Sequence, residues 1–359
     1  MGYFEACVFM LFIATLSSFT IGDPQVPCYF IFGDSLYDNG NNNDLVTEAK
    51  VNFPPYGVDF PGGPTGRFSN GRNIADVIAE LLGFENSIPP YATVSRKDIV
   101  RGVNYASGAA GIRDESGQHM GGRISLNQQI ARHAIIILQL IDLIGKGSVA
   151  PVQEHLNKCI YTVAMGNNDF INNYFFPQYY NTSSLYTPEE YAEILVQQYS
   201  KQLSKLYEFG ARKFAVSGAG YAGCAPAMMA RYETNVCVDA VNYAVVQFNA
   251  RLTAALVDLE SKLPGAKFIY MEPPLGYSND FNVTDQPCCK VSTTIGEGQC
   301  VPSQVPCNER QNYVFWDAFH PTESISLVDG AAVYAAMSPF YASSTKLSLP
   351  SEEHLISDA

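Results

Sequence analysis

Apolar and polar residues follow two different periods along this chain. Tyr29-Phe30-Ile31-Phe32 is a short unbroken apolar run of aromatic and β-branched side chains that stops at Gly33-Asp34-Ser35, the pattern of a buried strand entering a turn. Ile74, Val77, Ile78, Leu81 and Leu82 recur at helical spacing up to a stop at Gly83. Residues 102–107 read as a second strand, running into Gly108-Ala109-Ala110-Gly111. Ser125 and Gln128 make a capping box ahead of Ile130, Ala134, Ile137, Leu138 and Ile141, one buried helical stripe. Residues 159–165 have the continuous apolar character of a fully buried strand and end in Gly166-Asn167-Asn168-Asp169. Thr187-Pro188-Glu189-Glu190 opens a helix that stops at Gly210. A fourth strand is expected at 213–217, a long helix at 239–263, a fifth strand at 267–271 and a last helix at 323–337. Strands and helices alternate, which calls for a parallel sheet with helices on both faces. No repeat or linker divides the chain, so one domain is expected.

The two ends differ from this pattern. Residues 7–21 are an apolar run of about fifteen, short for a membrane span, so stable membrane insertion is not expected. The run closes in small and polar residues before Asp23-Pro24, the layout of a signal peptide cleaved after Gly22. The segment before it holds Glu5 and no Lys or Arg, which leaves a signal anchor or a buried N-terminal helix as the alternative. The expected division is a signal peptide over 1–22, one folded domain over 23–345 and a polar tail over 346–359.

Cleavage would remove Cys7 and leave eight of nine cysteines, the even number that secretion into an oxidising compartment favours. Cys288, Cys289, Cys300 and Cys307 lie in a Gly-, Pro- and Gln-rich stretch that suggests a stapled loop; no His is near enough for a zinc knuckle. Asn181 and Asn282 begin glycosylation sequons. Hydrophobic residues make up 47% and charged ones 16%, which supports a core and carries no signature of disorder. A net charge of -13 argues against nucleic acid as a partner.

Candidate chemistry lies at the strand ends. Ser35 taken alone suits the N-cap of a helix. Yet in a parallel sheet Ser35, Gly108 and Asn168 follow three strands on the same edge, where ligands bind. Acyl transfer needs a nucleophile, a base, a group that orients the base, and donors for the oxyanion. Ser35 can attack; the N–H groups of Ser35 and Gly108 with the Asn168 amide can hold the oxyanion. Glycine at 108 is expected to let the substrate oxygen approach the backbone. Of five histidines, His119, His133, His155 and His354 read as ordinary surface or capping residues. His320 has Asp317 three residues upstream, within reach of Nδ1, which frees Nε2 to take the serine proton. The Asp/Asn/Gly run at 38–44 fails as a calcium loop because the twelfth position is Ala49, and it reads as a hydrogen-bonded wall beside the serine. No metal or cofactor is expected.

Five stretches together resemble the GDSL esterase/lipase family, the plant branch of the SGNH hydrolases, across residues 26–337: Phe32 to Asn43, Gly66-Arg-Phe-Ser-Asn-Gly-Arg72, Gly102-Val-Asn-Tyr-Ala-Ser-Gly108, Gly166-Asn-Asn-Asp169 and Trp316-Asp-Ala-Phe-His-Pro-Thr-Glu323. The resemblance implies a flavodoxin-like three-layer α/β/α sandwich with a five-stranded parallel sheet in the order 2-1-3-4-5. It implies Ser35 as nucleophile, Asp317 and His320 as orienter and base, and Ser35, Gly108 and Asn168 in the oxyanion hole. The expected function is that of a secreted serine esterase or lipase of the apoplast or cell wall, acting through an acyl-serine on small-molecule or polymer-borne esters such as acyl lipids or acylated wall components. An acyltransferase with the same site, or a non-catalytic carbohydrate- or lipid-binding protein, is the alternative. No Gly-x-Ser-x-Gly elbow is present, against an ordinary α/β-hydrolase. Two stretches depart from the family pattern, Gly220-Tyr-Ala-Gly-Cys-Ala-Pro226 and Ala109-Ala110, and they bear on the substrate pocket. If the first and third strands are neighbours, as the resemblance implies, Cys28 can bridge Cys159; Cys224–Cys237 is the other pairing expected.

Overall fold

The computed structural model describes residues 23–273, 281–294 and 296–342; the expected signal peptide over 1–22 and the tail over 346–359 lie outside the described residues. The elements are, in chain order, β1 (Tyr29–Gly33), α1 (Ile74–Leu81), α2 (Leu126–Leu143), β2 (Ile160–Ala164), α3 (Pro188–Glu208), β3 (Lys213–Ser217), α4 (Asp239–Lys262), β4 (Lys267–Met271), β5 (Val283–Pro287), β6 (Tyr313–Phe315) and α5 (Glu323–Ala336), joined by shorter helical turns.

The strand alternation sets the layers, because successive side chains point to opposite faces. Phe30, Phe32, Tyr161, Val163, Phe214 and Val216 form one core with the apolar stripes of α2, α3 and α4. Tyr29, Ile31, Ile160 and Ala215 face the other way, onto Ile74, Ile78 and Ala79 of α1 and onto Met337 and Phe340 just beyond α5. The result is a three-layer α/β/α sandwich. β1 to β4 pair in parallel in that order, and Gly33, Ala164, Ser217 and Met271 stand in register at their carboxyl ends. The loops that follow these strands are therefore delivered to one edge.

The expected second strand is a correction. Residues 103–107 do run beside β1, where Ile31 N–H donates to Val103 O at 3.1 Å and Tyr105 and Ser107 N–H groups donate back to Ile31 and Gly33 at 2.8 and 3.0 Å. The pairing is nevertheless a single parallel bridge, Ile31 to Asn104, so the described sheet has four strands rather than five. A glutamine amide takes the next rung: Gln129 Oε1 accepts from Gly33 N–H at 3.0 Å and its Nε2 donates to Gly33 O at 2.9 Å, while Asn41 Nδ2 covers the outward carbonyls of Asn104 and Ala106 at 3.0 and 2.7 Å. Side-chain amides that bind nearby backbone compete with ladder formation in this way.

The caps follow the sequence. Thr187 and Glu190 cap α3 reciprocally, with Pro188 in its first turn, and Ser125 with Gln128 caps α2. A third box, Asn73 with Asp76 at α1, also receives Arg67, whose Nε and Nη2 reach the Asp76 carboxylate at 2.6 and 2.7 Å in a buried bidentate pair. Cys28 and Cys159 stand one residue before the paired Tyr29 and Ile160 and are bridged, as are Cys224 and Cys237. The two pairings that the sequence leaves open are Cys288–Cys307 and Cys289–Cys300. Among the described residues no helix is long and apolar enough to cross a membrane.

Candidate active site

The turn after β1 is built by Asp34, not Ser35. Asp34 O accepts from Tyr37 and Asp38 N–H at 3.2 and 3.0 Å, and Asp34 Oδ1 accepts from Leu36 N–H at 3.0 Å. The capping work falls to this carboxylate, and the Ser35 hydroxyl is left facing outward. Its Oγ lies 2.8 Å from His320 Nε2, and His320 Nδ1 lies 2.9 and 2.8 Å from the two Asp317 oxygens.

Asp317 is fully buried, and four donors satisfy its carboxylate. Besides the imidazole, Phe319 and His320 N–H groups donate to Oδ1 at 2.8 Å each, and the Tyr56 hydroxyl donates to Oδ2 at 2.6 Å. Burial first, and the neighbouring carboxylate second, hold the Tyr56 phenol well above its ordinary range, so it stays a donor. Its oxygen accepts in turn from Cys300 N–H at 3.0 Å. The bridged loop also lies against the strand leading to Asp317, with Cys288 and Cys289 N–H donating to Phe315 O and Trp316 O at 3.0 Å each. Tyr56 gives no local signal in the sequence; it stands 261 residues from Asp317.

Asn168 is buried at the end of the turn after β2, with Nδ2 donating to Ala110 O at 3.0 Å and Oδ1 accepting from Asn172 at 2.7 Å. Its neighbour Asp169 ties this turn to the next one by accepting from Ile112 and Arg113 N–H at 2.8 and 3.0 Å. The expectation for Gly108 changes. Its N–H is engaged by Asp38 Oδ2 at 3.0 Å. A Cβ at 108 would come within 2.6 Å of the Phe68 ring, so the glycine makes room for that ring rather than for substrate. Phe68 in turn packs on the His320 imidazole at 4.7 Å between centroids. The free donor is the next one: Ala109, held at φ 63, lines the cavity, and its N–H has no hydrogen-bond partner among the described residues. The asparagine run braces this whole edge, with Asn42 Nδ2 donating to Ala49 O and Gly108 O at 2.7 and 3.1 Å.

Ser35, Ala109, Asn168 and His320 open into one cavity of about 890 Å³, within the range of small-molecule sites. On one side it meets His119, Phe176, Tyr179 and Arg231; on the other it meets Leu36, Met271 and α5. His119 is thus a cavity residue and not an ordinary surface one, and burial, with Arg231 and Arg123 nearby, lowers it to about 4. His133 is buried against Phe30 and bonds Tyr105 at 3.0 Å, away from the site. The clustering of possible metal-ligating side chains among the described residues, Cys28, His155 and Cys159, has both sulfurs in the disulfide. Asn181 and Asn282 are both exposed.

Comparison with known proteins agrees with the motifs. The profile of the family described as GDSL-like Lipase/Acylhydrolase matches residues 29–326. Three proteins of Arabidopsis thaliana, each described as a GDSL esterase/lipase, are similar over most of their length. One is 48% identical over 324 residues, covering 88% of each chain. The second is 45% identical over 343 residues, 92% of this chain and 94% of the relative. The third is 45% identical over 341 residues, 91% and 93%.

Two predictions come from this geometry. Tyr56→Phe removes one bond to a buried carboxylate, so kcat on an aryl ester should fall roughly 10-fold with KM little changed. An unaltered kcat would reduce Tyr56 to a space filler. The second concerns Asp34, whose carboxyl burial raises to about 6 against the pull of the Leu36 N–H bond and of His320. A carboxyl raised above its unfolded value keeps its proton longer in the fold, so its stabilising contribution is complete below about pH 4 and is lost as pH rises through about 6. Asp34→Asn, uncharged throughout, should therefore gain thermal stability on the parent between pH 4 and 7, by about 2 to 3 kcal/mol. A gap in Tm that stays constant over that range would refute the assignment.

Proposed function

The chain belongs to the GDSL-like lipase/acylhydrolase family and is a carboxylic ester hydrolase; we propose that it works through an acyl-serine on Ser35 and acts outside the cell, on acyl lipids or acylated wall components. The observation that carries the mechanism is the unbroken line Ser35 Oγ, His320 Nε2, His320 Nδ1, Asp317, with 2.8 Å at both the first and the last contact.

His320 Nε2 takes the Ser35 proton as Oγ bonds to the ester carbonyl carbon. The carbonyl oxygen becomes an oxyanion, held by the N–H groups of Ser35 and Ala109 and by the Asn168 amide. Asp317 stays ionised and stabilises the imidazolium through Nδ1. The tetrahedral intermediate then collapses, the C–O bond to the alcohol breaks, and His320 returns its proton to that oxygen. A water molecule, deprotonated by the same imidazole, attacks the acyl-serine, and the acid leaves as Ser35 recovers its proton. In this reading Ala109 replaces Gly108 as the second backbone donor.

Export is supported by the eight cysteines that follow residue 22, all of them joined in four disulfides, and by the exposure of both sequon asparagines.

A fluorophosphonate probe should label Ser35, and Ser35→Ala should lose both labelling and turnover of a short-chain aryl ester; undiminished turnover would sink the assignment. Asn168→Ala should lower kcat by roughly 10²–10³-fold if its amide meets the oxyanion. A loss confined to KM would make it a binding group only.

A further inference from the structure

One wall of the cavity runs far from the reacting atoms. α5 begins just after His320-Pro321-Thr322 and contributes Val328, Ala332, Val333 and Ala336 to the lining, with Leu36 and Met271 across from them. Those α5 positions lie four and eight residues apart in two adjacent rows, so they form a continuous aliphatic face on the helix. The direction of the helix is fixed at its far end. Phe340 O, just past α5, accepts from Lys213 Nζ at 2.8 Å, and Lys213 begins β3, whose last residue Ser217 stands at the site edge. α5 therefore starts at the triad and descends to the opposite edge of the sheet, and Ala336 is farther from Ser35 than Val328.

This face is apolar yet incompletely covered: Val328 is 55% exposed, and Ala332 and Ala336 are exposed as well. Exposed apolar surface that continues a ligand cavity marks a place where something apolar binds. Small side chains at 332 and 336 leave a trough rather than a ridge. The polar group set among them is Asp329, which burial raises to about 7, so at mildly acidic pH it carries little charge. The opposite side of the cavity sets Arg231, His119 and Asn172 beside Ile171, Phe176 and Tyr179, a mixed polar and aromatic wall and not a continuous aliphatic one.

We propose that the α5 face is the acyl groove of this hydrolase, that Ala332 and Ala336 set the acyl length it accepts, and that its preferred substrates are esters of aliphatic acids of about ten carbons. The length follows from the helix: eight residues from Val328 to Ala336 rise about 12 Å, enough for an extended chain of about that size. The proposal rests on Ser35 as nucleophile, since the carbonyl at Ser35 fixes where the chain enters. It deepens that reading by naming the acid half of the substrate.

The test is an acyl-length profile with 4-nitrophenyl esters from acetate to palmitate. In the parent protein kcat/KM should rise about two- to fourfold per added methylene and level off near ten carbons. Ala336→Trp should bring the break inward, and Ala332→Trp, one turn (about 6 Å) nearer the triad, should bring it inward by about five carbons more. Ala331→Trp, on an exposed position outside the lining, controls for disturbance of the helix and should leave the profile where it was. A parent profile flat from two to ten carbons, or one that neither lining variant moves, overturns the groove while Ser35-dependent acetate turnover stands. Absence of Ser35-dependent turnover at every length overturns the acyl-serine reading and the groove with it. Melting curves for each variant separate a shifted profile from a lost fold.

Discussion

A carboxylate taken wholly out of water is tolerated only when its oxygens find donors, and the lower half of the site is arranged around that requirement at Asp317. Two donors are local, the N–H groups of Phe319 and His320, and they fix the tight turn that carries the imidazole. The third is the imidazole itself. The fourth, Tyr56, comes from the other end of the chain and is steadied by Cys300 within the bridged loop. Remove any of them and the charge is left short of a partner in a buried setting, where such deficits are most expensive. The disulfide loop, the aromatic packing of Tyr56 and Phe68, and the orientation of His320 are in this sense one structure with one purpose.

Much of this was legible in the residues. β3 and β4 fall where their apolar runs lie, and the Thr187-Pro188-Glu190 signal marks the start of its helix to the residue, because capping and strand length are local properties. Ser35 and Asn168 could be grouped because parallel strands deliver their carboxyl ends to one edge, and Asp317 and His320 because they stand three residues apart. The misses are non-local. Residues 102–107 carry strand composition, and the distant Gln129 amide, which takes the Gly33 N–H, keeps them from a full ladder. Glycine at 108 looked like access for substrate, whereas the ring that needs the space, Phe68, stands 40 residues away in sequence and beside it in space. Tyr56 and the pairing of four crowded cysteines depend on the tertiary contacts themselves, and no local pattern encodes those.

Two unfavourable features sit side by side at the upper half of the site. Ala109 holds a left-handed backbone that costs an L-residue about 1 to 2 kcal/mol, and Asp34 is a carboxyl whose burial disfavours its charge. Both adjoin the serine, and both are clamped by bonds from elsewhere: Asn42 and Asp38 hold the 108 peptide, while Leu36 N–H holds Asp34. Strain that survives only because its surroundings over-determine it is characteristic of sites that must be rigid before substrate arrives.

The Ser35–His320 contact joins residues 285 positions apart in the chain. A ribosome thus delivers the hydroxyl early and the imidazole only after every strand of the main sheet has been made. A nascent or C-terminally clipped chain that ends before residue 320 carries a serine with no partner to take its proton. Under the proposed mechanism, reactivity toward esters is in this way tied to completion of the polypeptide.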